Sequence, residues 1–85
     1  MYNKKNMSDF SLKERAQMIT SSLVWGGAKT FDQLTELDWL KTTSNYGISM
    51  YLREAERNGW IRVSFPANKP PIYVATAKGR KIAGK

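Results

Sequence analysis

The segment Ser44–Phe65 reads SNYGISMYLREAERNGWIRVSF, and its periodicity changes halfway along. Ile48, Tyr51, Leu52 and Ala55 recur at intervals of three and four, which places them on one face of a helix and predicts that helix over about 44–58. Asn58-Gly59 is a stop signal, because both residues tolerate the left-handed conformation in which helices end. From Ile61 the period becomes two. Ile61, Val63 and Phe65 alternate with Arg62 and Ser64, the pattern of a strand with one face against a core. An amphipathic helix that runs almost directly into a strand indicates an α+β fold.

Downstream, Pro66-Ala67-Asn68-Lys69-Pro70-Pro71 is a loop whose three prolines have fixed φ. Ile72-Tyr73-Val74-Ala75 is a second strand, so 61–75 forms a hairpin. Thr76 to Lys85 is basic and forms either a short helix or a frayed tail. Upstream, Lys41-Thr42-Thr43-Ser44-Asn45 is a polar break. Thr30 precedes Gln33 by three, a capping-box spacing that opens a short helix at about 31–38 carrying Leu34 and Leu37, with a possible third short strand near 28–31. Ser11 precedes Glu14 by the same interval. Leu12, Ala16, Ile19 and Leu23 then follow at four, three and four, which predicts a first helix over about 11–25, ended by Gly26-Gly27. Trp25, Trp39 and Trp60 are expected in the core. Residues 1–8 read as a loose polar tail, 9–82 as one domain and 83–85 as a basic tail.

The chain has 85 residues, enough for one small core. It has no Cys and no His, which removes disulfides, thiolate nucleophiles, imidazole bases and the usual zinc ligands. The Cys-free composition fits a cytoplasmic protein. There is no signal-like apolar run and no apolar stretch long enough to span a membrane. The net charge is +7 and it is unevenly distributed. Residues 11–40 sum to about −1, whereas 60–85 hold Arg62, Lys69, Lys78, Arg80, Lys81 and Lys85 with no acid. A cationic hairpin and tail favour a polyanionic partner.

Three motifs carry a family resemblance. Thr30-Phe31-Asp32-Gln33-Leu34 looks like the start of a positioning helix. Ile48 to Ile61 is similar to a recognition helix leaving into a wing, with an apolar residue four before a Leu and a Gly followed by two apolar residues at the exit. Tyr73-Val74-Ala75-Thr76-Ala77-Lys78-Gly79-Arg80 resembles a second wing strand with the Thr-x-x-Gly turn after it. In this order and spacing, over about residues 11–82, the chain resembles the winged helix-turn-helix DNA-binding superfamily, and in scale the small transcriptional regulators of bacteria, plasmids and phages. The resemblance implies a three-helix core with a two-stranded wing, sequence-specific binding of double-stranded DNA, and transcriptional regulation without catalysis. Two residues depart from the pattern. Gly47 falls in the first turn of the recognition helix, where glycine costs up to ~1 kcal/mol relative to Ala, and Ala55 replaces a larger apolar residue.

On that helix the outward positions are Ser44, Asn45, Tyr46, Ser49, Met50 and Arg53. Asn pairs with adenine, Arg with guanine, and Tyr or Met meets a thymine methyl. On the wing and tail the candidate DNA contacts are Arg62, Asn68, Lys69, Lys78, Arg80 and Lys81. Met18 and Val24 lie off the main stripe of the first helix and mark it as a surface for a homodimer. No cofactor, metal or small-molecule ligand is expected. Gly79 to Lys85 has phosphate-loop spacing but no Ser or Thr for magnesium, and Asp32 with Glu36 makes a poor cation cage. The alternative reading, from a different class, is a protein-interaction adaptor on the same fold, since fold does not fix function.

Overall fold

The computed structural model describes residues 10–84. Its element order is α1 (Leu12–Gly26), β1 (Lys29–Thr30), α2 (Phe31–Thr35), α3 (Asn45–Arg57), β2 (Ile61–Ser64), β3 (Ile72–Ala75) and α4 (Ala77–Ile82). The fold is α+β: four helices and a three-stranded antiparallel sheet in the order β1-β3-β2. The residues read as a loose tail at 1–8 lie outside the described residues, as does Lys85.

Each helix starts where a side chain satisfies its first amide groups. Ser11 Oγ accepts from Glu14 N at 3.1 Å while Glu14 Oε1 accepts from Ser11 N at 2.8 Å, a complete capping box at α1. Thr30 and Gln33 repeat the arrangement at α2, and Ser44 caps α3 through Gly47 N. At the other end of α3, Gly59 takes φ 78° and turns the chain into β2.

The core is built mainly where α1 crosses α3. Ala16, Ile19 and Leu23 of α1 meet Ile48, Tyr51, Leu52 and Ala55 of α3, closed by Leu34, Leu40, Trp60 and Ile61. Tyr51 is held on two sides: its ring stacks on Trp39 at 6.4 Å and 10°, and its hydroxyl accepts from Arg15 Nη1 at 2.6 Å.

The second helix is shorter than its sequence spacing predicts, ending at Thr35 rather than near 38. Beyond it, Leu37 N donates to Leu34 O, Leu40 N to Leu37 O and Thr43 N to Leu40 O, each three residues back. The reason is register. Leu34 and Leu40 are both fully buried, six residues apart. Six residues make two whole turns at three per turn but fall ~120° out of phase at 3.6. Tightening the chain keeps both leucines on the core side.

Other expectations need correction. Phe65 lies outside β2 and is 76% exposed, and Trp25 is 63% exposed rather than core, its indole donating to Ala83 O at 3.2 Å. Leu12 is also exposed, while Val24 is buried. Trp39 is half-buried at the core edge and Trp60 is buried. The short third strand forms as β1, pairing Lys29 with Tyr73 and Thr30 with Ile72.

Of the two options for the C-terminal segment, the helix is the one formed. Thr76 Oγ1 accepts from Gly79 N at 3.1 Å, and the same hydroxyl lies 2.6 Å from Gly59 O and 3.0 Å from Trp60 O. Thr76 N donates to Trp60 O as well, at 2.9 Å. Gly79 packs so closely here that a Cβ would overlap the Trp60 carbonyl oxygen. The Thr-x-x-Gly spacing is therefore a cap and a close approach in one motif.

Candidate functional site

The candidate residues lie on three surfaces. The first is the outward side of α3, opposite the buried row of Ile48, Tyr51, Leu52 and Ala55. Asn45, Ser49 and Arg53 are exposed there, and Tyr46 is 75% exposed. Ser44 is exposed too, but its oxygen is engaged as the N-cap of α3. Met50 is not fully outward: it is half-buried and packs against the core. Gly47 sits under the preceding turn, where a Cβ would come within 2.9 Å of the Thr43 γ-methyl. Its closest neighbour is thus the turn leading into α3.

The second surface is the hairpin. Asn68 takes φ 59° and Lys69 N donates to Pro66 O at 3.3 Å, which closes a tight turn at the tip. Asn68 and Lys69 are both exposed. Arg62 is exposed but faces the other way. It pairs across the sheet with Val74, whereas its neighbours Ile61 and Val63 pair with Ala75 and Tyr73, which pack on the core. Alternation puts Arg62 on the outer face of the hairpin.

The third surface is α4, where Lys78, Arg80 and Lys81 are exposed. This helix starts at the C-terminal end of α3, where Lys78 lies beside Gly59. Asn45 is at the opposite end of a 13-residue helix, about 18 Å away along its axis. The cations of α4 are therefore not brought together with the outward amino-terminal residues of α3.

Between α3 and the hairpin runs a groove of about 220 Å³ lined by Ser49, Leu52, Arg53, Glu56, Val63 and Tyr73. Its floor is apolar and its α3 wall is polar. Burial, and then the nearby Glu56 carboxylate, push the Tyr73 hydroxyl above its ordinary value. Farther along α3, Glu54 accepts from Arg57 at 2.7 Å and from Asn58 Nδ2 at 3.0 Å. The Arg57 hydrogen bond first, and the Asn58 one second, hold its carboxyl below the usual range. Arg57 is committed to this pair, whereas Arg53 has no ion pair among the described residues.

The periodicity of α3 locates its outward row but misses the groove, because Val63 and Tyr73 reach it from strands distant in sequence. Phe65 is also missed as a surface residue, although the sequence carries a signal: Pro66 follows it directly, and proline cannot extend a paired strand.

A second depression, of about 460 Å³, runs beside α1 and is lined by Phe10, Glu14, Gln17, Met18, Ser21, Trp39 and Ile82. Of the two residues marking the dimer surface, Met18 lines it and Val24 is buried. Among the described residues no helix is long and apolar enough to cross a membrane, and no group of three acidic, His or Cys side chains is placed to hold a metal ion.

No family model, curated protein or solved structure matches this chain.

Proposed function

We propose that this chain is a winged-helix module that binds duplex DNA and regulates transcription, with α3 entering the major groove and the hairpin acting as the wing. One observation carries the reading. The outward row Asn45, Tyr46, Ser49 and Arg53 stands exposed on a helix whose other face is fully committed to the core, beside a projecting hairpin with no acidic residue. An α-helix fits the major groove, and amide, hydroxyl and guanidinium groups at its surface match the donor and acceptor pattern of base edges. Lys69 at the tip and Asn68 beside it suit backbone contact.

Selection from a random duplex pool, followed by salt titration on the enriched site, tests the reading. With Lys69 and two further cations on phosphate, log affinity falls against log salt with a slope of about −3. Asn45→Ala and Arg53→Ala each relax the preference at one base pair by ~1–3 kcal/mol, and Lys69→Ala weakens all duplexes alike. A slope near zero, or no enriched sequence, defeats the reading.

The depression beside α1 favours a second reading, an interaction adaptor or a homodimer through this face. Met18→Asp leaves sedimentation unchanged if the protein is a monomer, and dissociates a dimer if α1 is the interface.

A further inference from the structure

Phe65 has a feature the reading above does not use, and the inference drawn from it rests on that reading. At 76% exposed, it is the most open of the large apolar side chains among the described residues. It stands one residue beyond β2, past the last paired rung Ser64↔Ile72, and immediately before Pro66. A phenyl ring left in water this way forgoes the burial that normally holds aromatic residues inside a fold.

Its surroundings define the chemistry it suits. The turn at the tip is fixed by Pro66, Pro70, Pro71 and the Lys69–Pro66 hydrogen bond. Lys69 is exposed there, and the last acidic residue before this region is Glu56, after which the chain carries none. A rigid aromatic tip on cationic ground is complementary to a polymer with an anionic backbone and stacked apolar faces behind it. That describes a nucleic-acid duplex, whose base steps accept Phe or Pro wedges from the minor groove.

Position agrees with this. The groove contacts place Val63 beside Ser49 and Arg53, so β2 runs back along α3. Phe65 is about 13 Å along the strand direction from Ile61, and Ser49 is about 12 Å along α3 from Arg57. The ring therefore stands about level with the amino half of α3, on the hairpin side of the groove.

We propose that Phe65 is a wedge that enters a base step in the minor groove next to the site faced by α3, unstacks it and kinks the duplex. The wedge gives specificity without hydrogen bonds, because pyrimidine–purine steps such as TA unstack more readily than others.

The test uses the full chain and the duplex enriched from the random pool, labelled at both ends for energy transfer, with 2-aminopurine at the flanking TA step. Wild type brings the ends closer and raises 2-aminopurine fluorescence. Phe65→Ala, whose melting temperature should match wild type because the residue is exposed, still binds with an unchanged salt slope and no more than ~10-fold weaker, but gives neither signal. Phe65→Trp restores both. Equal bending by wild type and Phe65→Ala overturns the wedge and leaves duplex binding standing. Absence of duplex binding by either protein at low salt removes both proposals. If phosphatidylserine vesicles bind wild type and not Phe65→Ala, while bending is equal, the tip is a membrane contact and the wedge is overturned.

Discussion

Gly79 shows how a single atom can fix a junction. Its Cα lies against the backbone of Trp60, and Thr20, buried at the α1 side, also approaches it. The sequence spacing of Thr76 and Gly79 indicates a cap, but only the packing explains why the fourth residue has no side chain. Gly79→Ala should cost about 1–3 kcal/mol through overpacking, despite the better helix propensity of Ala. Urea unfolding at equal m-value measures this. Glu54 offers a residue-scale test with opposite chemistry. Hydrogen bonds from Arg57 and Asn58 hold its carboxyl below the ordinary value near 4.5. The folded state thus binds the proton less readily than the unfolded chain. The contribution is present above that ordinary value and is lost as pH falls through the depressed one. Glu54→Gln should flatten this part of the stability–pH curve, read as melting temperature against pH.

At the scale of elements, the segment after α2 is where periodicity and structure part. Leu34, Leu37 and Leu40 read as one helical stripe, and the stripe is real, but three-residue turns carry it rather than α-helix. Leu40 is fully buried and Leu37 only partly. Leu40→Ala should therefore cost about 2–5 kcal/mol and Leu37→Ala clearly less, measured by thermal or urea unfolding. The helices α1 and α3 and both hairpin strands were legible because their caps and apolar spacings are local. The ends of the pattern were not. Leu12 and Phe65 each stand at the end of a correct stripe and are exposed, and Trp25, two residues past Leu23, lies off the buried row of α1. Apolar identity alone does not tell where a core stops. The candidate site divides in the same way: the α3 row follows from periodicity, whereas the separation of Arg62 and α4 from it depends on strand pairing and helix ends.

Among the described residues, the acid-free stretch from Trp60 onward sets its cations in three places, the first being Arg62 on the outer face of the hairpin. Lys69 stands at the hairpin tip, and Lys78, Arg80 and Lys81 cover α4 on a flank about one helix length from Asn45. That distance exceeds the Debye length of ~8 Å at physiological salt. On the duplex-binding reading, replacing Lys78, Arg80 and Lys81 together by Gln should leave sequence preference intact. It should slow association mainly at low salt, where long-range steering operates. Stopped-flow binding at two ionic strengths separates this from direct contact, which would change affinity at both.

The three tryptophans occupy three distinct environments: Trp60 is buried, Trp39 is half-buried against Tyr51, and Trp25 is largely in water while its indole reaches the end of α4. The protein consequently carries its own optical gauge. Blue-shifted emission belongs to Trp60 and reports the core, and red-shifted emission belongs to Trp25 and reports the seating of the C-terminal helix. Peeling α4 away would alter the second colour before the first, so partial opening and global unfolding can be told apart in one cuvette without any added label.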